Sequence, residues 1–346
     1  MKRAAVLGLT LLASACATGP RWANGEPPVL VTAAMETVVK TDPTVDADDP
    51  ALWADPSDPS RAVMFGTDKT DGLYVHNLDG SVRQFFPSGA LNNVDLRPGF
   101  KVDGKDYVLV GASADEAFGL FVYLFDPATL ETKQWGFIST GTWEPYGFCM
   151  AKRDGNFYLI ADSKNGEAKV WTVSAGSSGP VAELIRTVKV GSQPEGCVAD
   201  EEAGNLYIGE EDVGLWRVAF GPGASDELHS IARIDGKRLT ADVEGVTIMR
   251  DKGKKYLIAS SQGDDTYNVF RIEGPAHVYI GRFAIVAGET IDAVTATDGL
   301  DAFSGPIGQF PEGAIAFHDD EDTPSPGQQN YKVVDWRDIR KALNLN

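Results

Sequence analysis

Apolar positions along this chain gather into short runs bounded by turn residues, and the spacing of an amphipathic helix is scarce. Three stretches show the arrangement plainly. EPYGFCMAKRDGNFYLIADSKNG begins at Glu144, QPEGCVADEEAGNLYIGEED at Gln193 and DVEGVTIMRDKGKKYLIASSQG at Asp242. Each passes from a polar or acidic residue through Gly into an apolar run. A Gly-bearing turn and a second apolar run containing Tyr follow, which predicts paired short strands. Tyr146, Glu195 and Glu244 stand 49 residues apart, and Tyr158, Tyr207 and Tyr256 each lie 12 residues further on. Asp95, in NNVDLR, precedes Tyr107 by the same 12 residues, while Asp49 and Glu312 (in FPEGAIAF) take the equivalent place more loosely. The pattern predicts an all-β, six-bladed β-propeller, because one four-stranded blade cannot bury both of its faces alone. A β-sandwich would leave the shared register unexplained. DWRDIRKALN, near the end, is the best helical stretch. A strand around Val29 to Val39 is expected to pair with the last blade and close the ring.

The 346 residues, 43% of them apolar, are assigned as one propeller domain over 29–346. Lys2 and Arg3 open a leader whose apolar run, Ala4 to Ala13, is too short to span a bilayer. Ala13-Ser14-Ala15-Cys16 resembles the cleavage box of bacterial lipoproteins; a secretory signal cut near Ala15 is the alternative. Residues 1–16 are therefore read as a signal peptide and 17–28 as a tether. The protein is expected to be exported: periplasmic, anchored to the outer membrane by lipid, or secreted. A formal charge of −19 argues against a nucleic-acid partner. Cys149 and Cys197 remain after the leader, and spacing alone does not say whether they pair. His76, His229, His277 and His318 share no ligand spacing, which argues against zinc. Trp53, Trp171, Trp216 and Trp336 read as core or inter-blade packing.

Equivalent positions in successive blades surround the axis of a propeller. Asp49, Asp95, Tyr146, Glu195, Glu244 and Glu312 would then face one channel, and five carboxylates there repel one another without counter-charge. DADDPALW, at residues 46–53, adds Asp46 and Asp48 to the same region. Asp68, Lys69, Asp162, Lys164, Glu210 to Asp212 and Gln262 end the following strands and should share the rim. An all-oxygen, acidic mouth suits a hard cation. The run Asp319-Asp320-Glu321-Asp322 reads as a solvated loop.

The motifs DADDPALW, GTDK, NNVDLR, PYGF, EGCVADEEAGNLYIGEED, DVEGVTI, ASSQG and TDGLD, in this order, resemble those of the β-propeller phytases over about residues 30–340. That family implies a six-bladed, calcium-dependent phosphomonoesterase acting on phytate, with several Ca2+ ions in the channel. The resemblance implies that Tyr146, Glu195, Glu211, Asp242, Glu244 and Gln262 build the catalytic calcium cluster, with Asp298 beside it. Lys69 and Lys164 would contact substrate phosphate. Glu36, Asp48, Asp49, Pro50, Val94 and Asp292 match positions serving structural calcium, Pro50 and Val94 through their carbonyls. Calcium-activated water is the expected nucleophile, since no Ser-His-Asp order or reactive-Cys signature offers a covalent route. The resemblance implies phytate as the partner, any membrane contact is expected to be made through a lipid anchor, and the protein is expected to be a monomer. One departure stands out: where the family carries a phosphate-gripping Arg, this chain has Ala114 or Asp115, and Arg97 nearby is not given that role. A non-catalytic calcium-binding lipoprotein and a propeller hydrolase of another class, such as a lactonase, are the rival readings.

Overall fold

The computed structural model describes residues 20–37, 45–323 and 328–345. Six sheets, antiparallel but for one added strand, stand in a ring, a six-bladed β-propeller. Their innermost strands are Ala47–Asp55, Val94–Val102, Phe148–Arg153, Pro194–Asp200, Val246–Asp251 and Leu300–Phe303. Each packs against the next, and the last returns to the first. The second strands, such as Asn156–Ser163, are buried almost throughout, whereas outer strands such as Pro180–Lys189 are largely exposed. Neighbouring blades cover both faces of a second strand, so sequences such as YVLVGA and FYLIA are continuous apolar runs rather than alternations. The turns Asp154-Gly155 and Lys252-Gly253 have positive φ at both residues, the geometry that matches a tight hairpin to the twist of its strands. Six apolar clusters fill the blade junctions, one at each. Trp53 packs edge-on to Phe125 between the first two blades, and Trp336 is wholly buried between the last two. Trp336 also opens the terminal helix, Trp336–Ala342, capped by Asp335.

The N-terminal strand differs from the expectation by being split. Val29–Val31 pairs in parallel with the outer strand Ala276–Ile285 of the fifth blade. Met35–Glu36 then crosses to the sixth blade and pairs antiparallel with Asn330–Asp335, completing its four strands. The expected tether is also altered over its described part. Residues Arg21–Asn24 form one 3-10 turn, and Arg21 pairs with Asp265 at 2.9 Å. Just after the turn, the Glu26 carbonyl is held by Arg282, whose fully buried side chain also bonds Asp264 and the Arg238 carbonyl. Residues 1–19, which hold the expected leader, lie outside the described residues. Cys149 and Cys197 form a disulfide, Cα–Cα 5.6 Å, tying the inner strands of the third and fourth blades.

Candidate metal and phosphate site

Each inner strand starts at one mouth of the channel, and backbone contacts fix which residues are equivalent there. The N–H of Gly245 donates to the carbonyl of Asp298 at 2.8 Å, and that of Gly299 to Asp48 at 3.0 Å. A Cβ placed on Gly147 would lie 1.7 Å from the Glu195 carbonyl oxygen, and one on Gly196 2.0 Å from that of Glu244. Successive strands approach so closely that only glycine fits, which explains why a ligand-type residue is followed by Gly in four blades. The ring is therefore Asp48, Asn92, Tyr146, Glu195, Glu244 and Asp298. Tyr146, Glu195 and Glu244 hold the positions expected of them. Asp49 is displaced by one residue: its carboxylate, buried, accepts the Val94 N–H at 3.0 Å. Asp95 lies deeper, paired with Arg97 at 2.7 Å. Glu312 is outside the ring altogether, bound to Arg340 of the terminal helix.

Carboxylate oxygens of Glu195, Glu211 and Glu244 come within 4.8 Å of one another. Gln193 Nε2 donates to Glu211 at 2.6 Å, and Gln262 Nε2 donates to Glu244 at 3.0 Å and to Asp298 at 2.6 Å. The backbone N–H of Gln262 bonds the Asp242 carbonyl, bringing Asp242 to the same corner. Lys69 reaches Asp298 at 2.6 Å and Asp48 at 3.2 Å. Burial, Asp298 and Glu211 push the Glu195 carboxyl up to about 8 against the pull of Lys69. Burial likewise raises Asp48, Asp49 and Glu244. At Asp298 burial also opposes charge, but His318 and Lys69 overcome it and hold the carboxyl below its usual range. The Asp48 carboxylate is buried, its Oδ1 facing Lys69 and its Oδ2 without a hydrogen-bond partner. A crowded set of oxygen donors with unsatisfied charge fits a hard cation such as calcium.

A second acidic group lies apart, at the sixth blade. Glu36, Asp292 and Asp322 place ligand atoms within 4.8 Å of each other, and the fully buried Lys332 pairs with Asp292 and Asp319. The run 319–322 is thus not a uniformly solvated loop: Asp320 and Glu321 are exposed, but Asp319 is buried as counter-charge to Lys332 and Asp322 is buried accepting from Asn330. Asp49, Pro50 and Val94 line the channel below the ring, in a cavity of about 420 Å³.

Lys69, Lys164, Asn92 and Tyr146 share a smaller recess of about 170 Å³ at the mouth, together with Asp115 and Glu116. The Lys164 ammonium sits 4.2 Å from the centre of the Tyr146 ring and 4.0 Å from Asp115. Ala114 ends its strand, buried, so the side chain at the recess is that of Asp115. Arg97 is engaged by Asp95, Glu201 and the Met150 carbonyl. Sequence reasoning missed Asn92, which bonds Glu195 at 3.3 Å, and set Asp298 beside the cluster while giving the sixth place of the ring to Glu312. The pair Asp298-Gly299 carried the same signal as Glu195-Gly196 and could have been found by it.

The chain matches the family model described as Phytase over residues 1–346. It is 36% identical to the 3-phytase of Bacillus subtilis (strain 168) over 349 residues, covering 97% of this chain and 91% of that protein. Among solved structures, the major allergen Mala s 1 of Malassezia sympodialis aligns with a TM-score of 0.53 at 12% identity, over 87% of this chain and 95% of that one. A GH43_1 enzyme from Xanthomonas citri aligns with a TM-score of 0.42 at 14% identity, over 69% and 87%.

Proposed function

Because this chain belongs to the phytase family, we propose that it is a calcium-dependent phosphomonoesterase that releases phosphate from phytate. The observation that carries this reading is the Glu195–Glu211–Glu244 cluster flanked by Lys69 and Lys164. Glu195, Glu211, Asp242, Glu244, Asp298 and Tyr146 would hold calcium at the mouth, and Glu36 and Asp292 would hold it at the sixth blade. Asp48 and Asp49, with the Pro50 and Val94 carbonyls, would do the same in the channel. Bound calcium would neutralise phosphoryl oxygens and acidify a water, which lets water attack without a covalent enzyme intermediate.

The protein's own groups do the rest. Gln193 and Gln262 fix the orientation of Glu211, Glu244 and Asp298 by donating to them. Lys69 and Lys164 supply positive charge to an incoming phosphate. The Tyr146 ring holds the Lys164 ammonium over the recess. We place the protein outside the cytoplasm on the strength of the leader read in residues 1–16.

Phosphate release from phytate, assayed in excess chelator and again after calcium is restored, tests the reading. None should be released in chelator, and release should return with calcium. Equal release in both conditions removes the metal; no release at any calcium level removes the enzyme.

A further inference from the structure

The second strand of each blade also ends at the mouth, and its penultimate paired residue occupies one equivalent place. In the first, second and fifth blades that residue is Thr67, Ser113 or Ser260, paired with Leu73, Leu120 and Tyr267 respectively. Each hydroxyl donates to a backbone carbonyl of the next inner segment. Thr67 donates to Asn92, Ser113 to Tyr146 at 2.5 Å and Ser260 to Thr297 at 2.7 Å. In the third blade the place belongs to Asp162, paired with Ala168. An ionised carboxylate has no proton to donate, so Asp162 cannot bridge the blades as the hydroxyls do.

Asp162 is only 1% exposed. Its Oδ1 accepts the Gly147 N–H at 2.8 Å, next to Tyr146 of the ring. Its Oδ2 is buried and has no hydrogen-bond partner. The charges it feels are those of Glu195 and Glu211, both repulsive, and these add to the cost of burial. An orphaned carboxylate oxygen against two further carboxylates persists only with a proton or a cation beside it.

We propose that Asp162 is a further oxygen ligand of the cation held by Glu195 and Glu211, supplied by the third blade from beneath Tyr146. The proposal rests on the calcium reading above. It says that Oδ2 has been placed for a cation and not for a bridging proton.

Asp162→Asn tests it, because the amide keeps an acceptor for Gly147 and offers an N–H to the neighbouring carbonyl. Full-length, metal-free protein is titrated with calcium by calorimetry, and melted in chelator. The variant should melt higher than wild type in chelator, where the repulsion is gone, and should bind calcium at least about tenfold more weakly. Unchanged calcium affinity overturns the proposal, since Asp162 would then be a protonated stand-in for the hydroxyls. If the Asn variant fails to fold, Asp162→Ser, which restores the hydroxyl pattern of the other blades, carries the same comparison. Wild type that binds no calcium removes the calcium reading itself; wild type and variant that bind it equally remove only the role of Asp162.

Discussion

Glu195 is one of the carboxylates crowded by like charge at the metal-free mouth. Its ordinary value is 4.5, and burial with Asp298 and Glu211 takes it to about 8 in the folded protein. A folded-state value above the unfolded one means that the native protein binds the extra proton. Its stability without metal is thus greatest below the unfolded value and is lost as pH rises through the window up to about 8. Melting in chelator should fall by several degrees between pH 5 and pH 8, and saturating calcium should abolish most of that slope. A flat chelated profile would mean that the repulsion is already relieved within the protein. Glu211 and Tyr146 stand at the mouth, away from the blade cores. Glu211→Ala and Tyr146→Phe should lower phosphate release while circular dichroism stays native, the Glu211 change by about 10–100-fold. Wild-type turnover in both would remove them from the site. Asp115 currently faces Lys164, so a phosphate in the recess meets a partly neutralised lysine. Asp115→Arg should free Lys164 and add a bidentate donor. At about 1.5–3 kcal/mol for a charge-assisted hydrogen bond, that should improve KM for phytate by on the order of tenfold. Ala114→Arg, whose side chain starts from a buried position, should do less.

Strands show why part of this site could be read in advance. Tyr146-Gly147, Glu195-Gly196 and Glu244-Gly245 repeat because each glycine meets the next blade's backbone, a constraint written into every copy. Gly147→Ala and Gly196→Ala should each cost about 1–3 kcal/mol in urea unfolding, since the obstacle is a carbonyl that cannot rotate away. Wild-type midpoints would show that the strands can separate. The same signal failed where local structure differs. In the sixth blade a long connection between Leu300–Phe303 and Ala314–Asp319 carries a second acid-glycine pair, Glu312-Gly313, which drew attention from Asp298-Gly299. In the second blade Asn93 replaces the glycine, so Asn92 had no motif to announce it. Arg97 masks Asp95, a pairing that only folding creates. The disulfide was open in the sequence because it depends on two inner strands meeting. With its cysteines 48 positions apart in sequence, its removal in Cys149→Ala/Cys197→Ala should cost about 2–4 kcal/mol by the loop-closure argument, measured as a lower unfolding midpoint without reductant.

At the scale of the molecule, every junction between blades is an apolar cluster, and the acidic mouth is the place where the ring resists its own closure. Calcium that binds only the folded ring adds RT ln(1 + [L]/Kd), about 2.7 kcal/mol at a hundredfold excess over Kd. Melting temperatures should rise accordingly, and identical values with calcium and with chelator would refute a metal-braced ring. The seam of that ring lies in the sixth blade, where Met35 pairs with Val333 and the Tyr331 N–H reaches the Thr37 hydroxyl across 294 positions of chain. This sets an order of events during synthesis. Earlier blades can form as they emerge, but Met35–Glu36, one of the first strands made, must wait for Asn330–Asp335, the last. A chain that stops at residue 323 would lack Asn330–Asp335, leaving Met35–Glu36 and Ala314–Asp319 as open edges. Such edges invite pairing between molecules. A premature stop that removes barely one strand and a short helix should therefore leave an aggregating product rather than a slightly shortened enzyme.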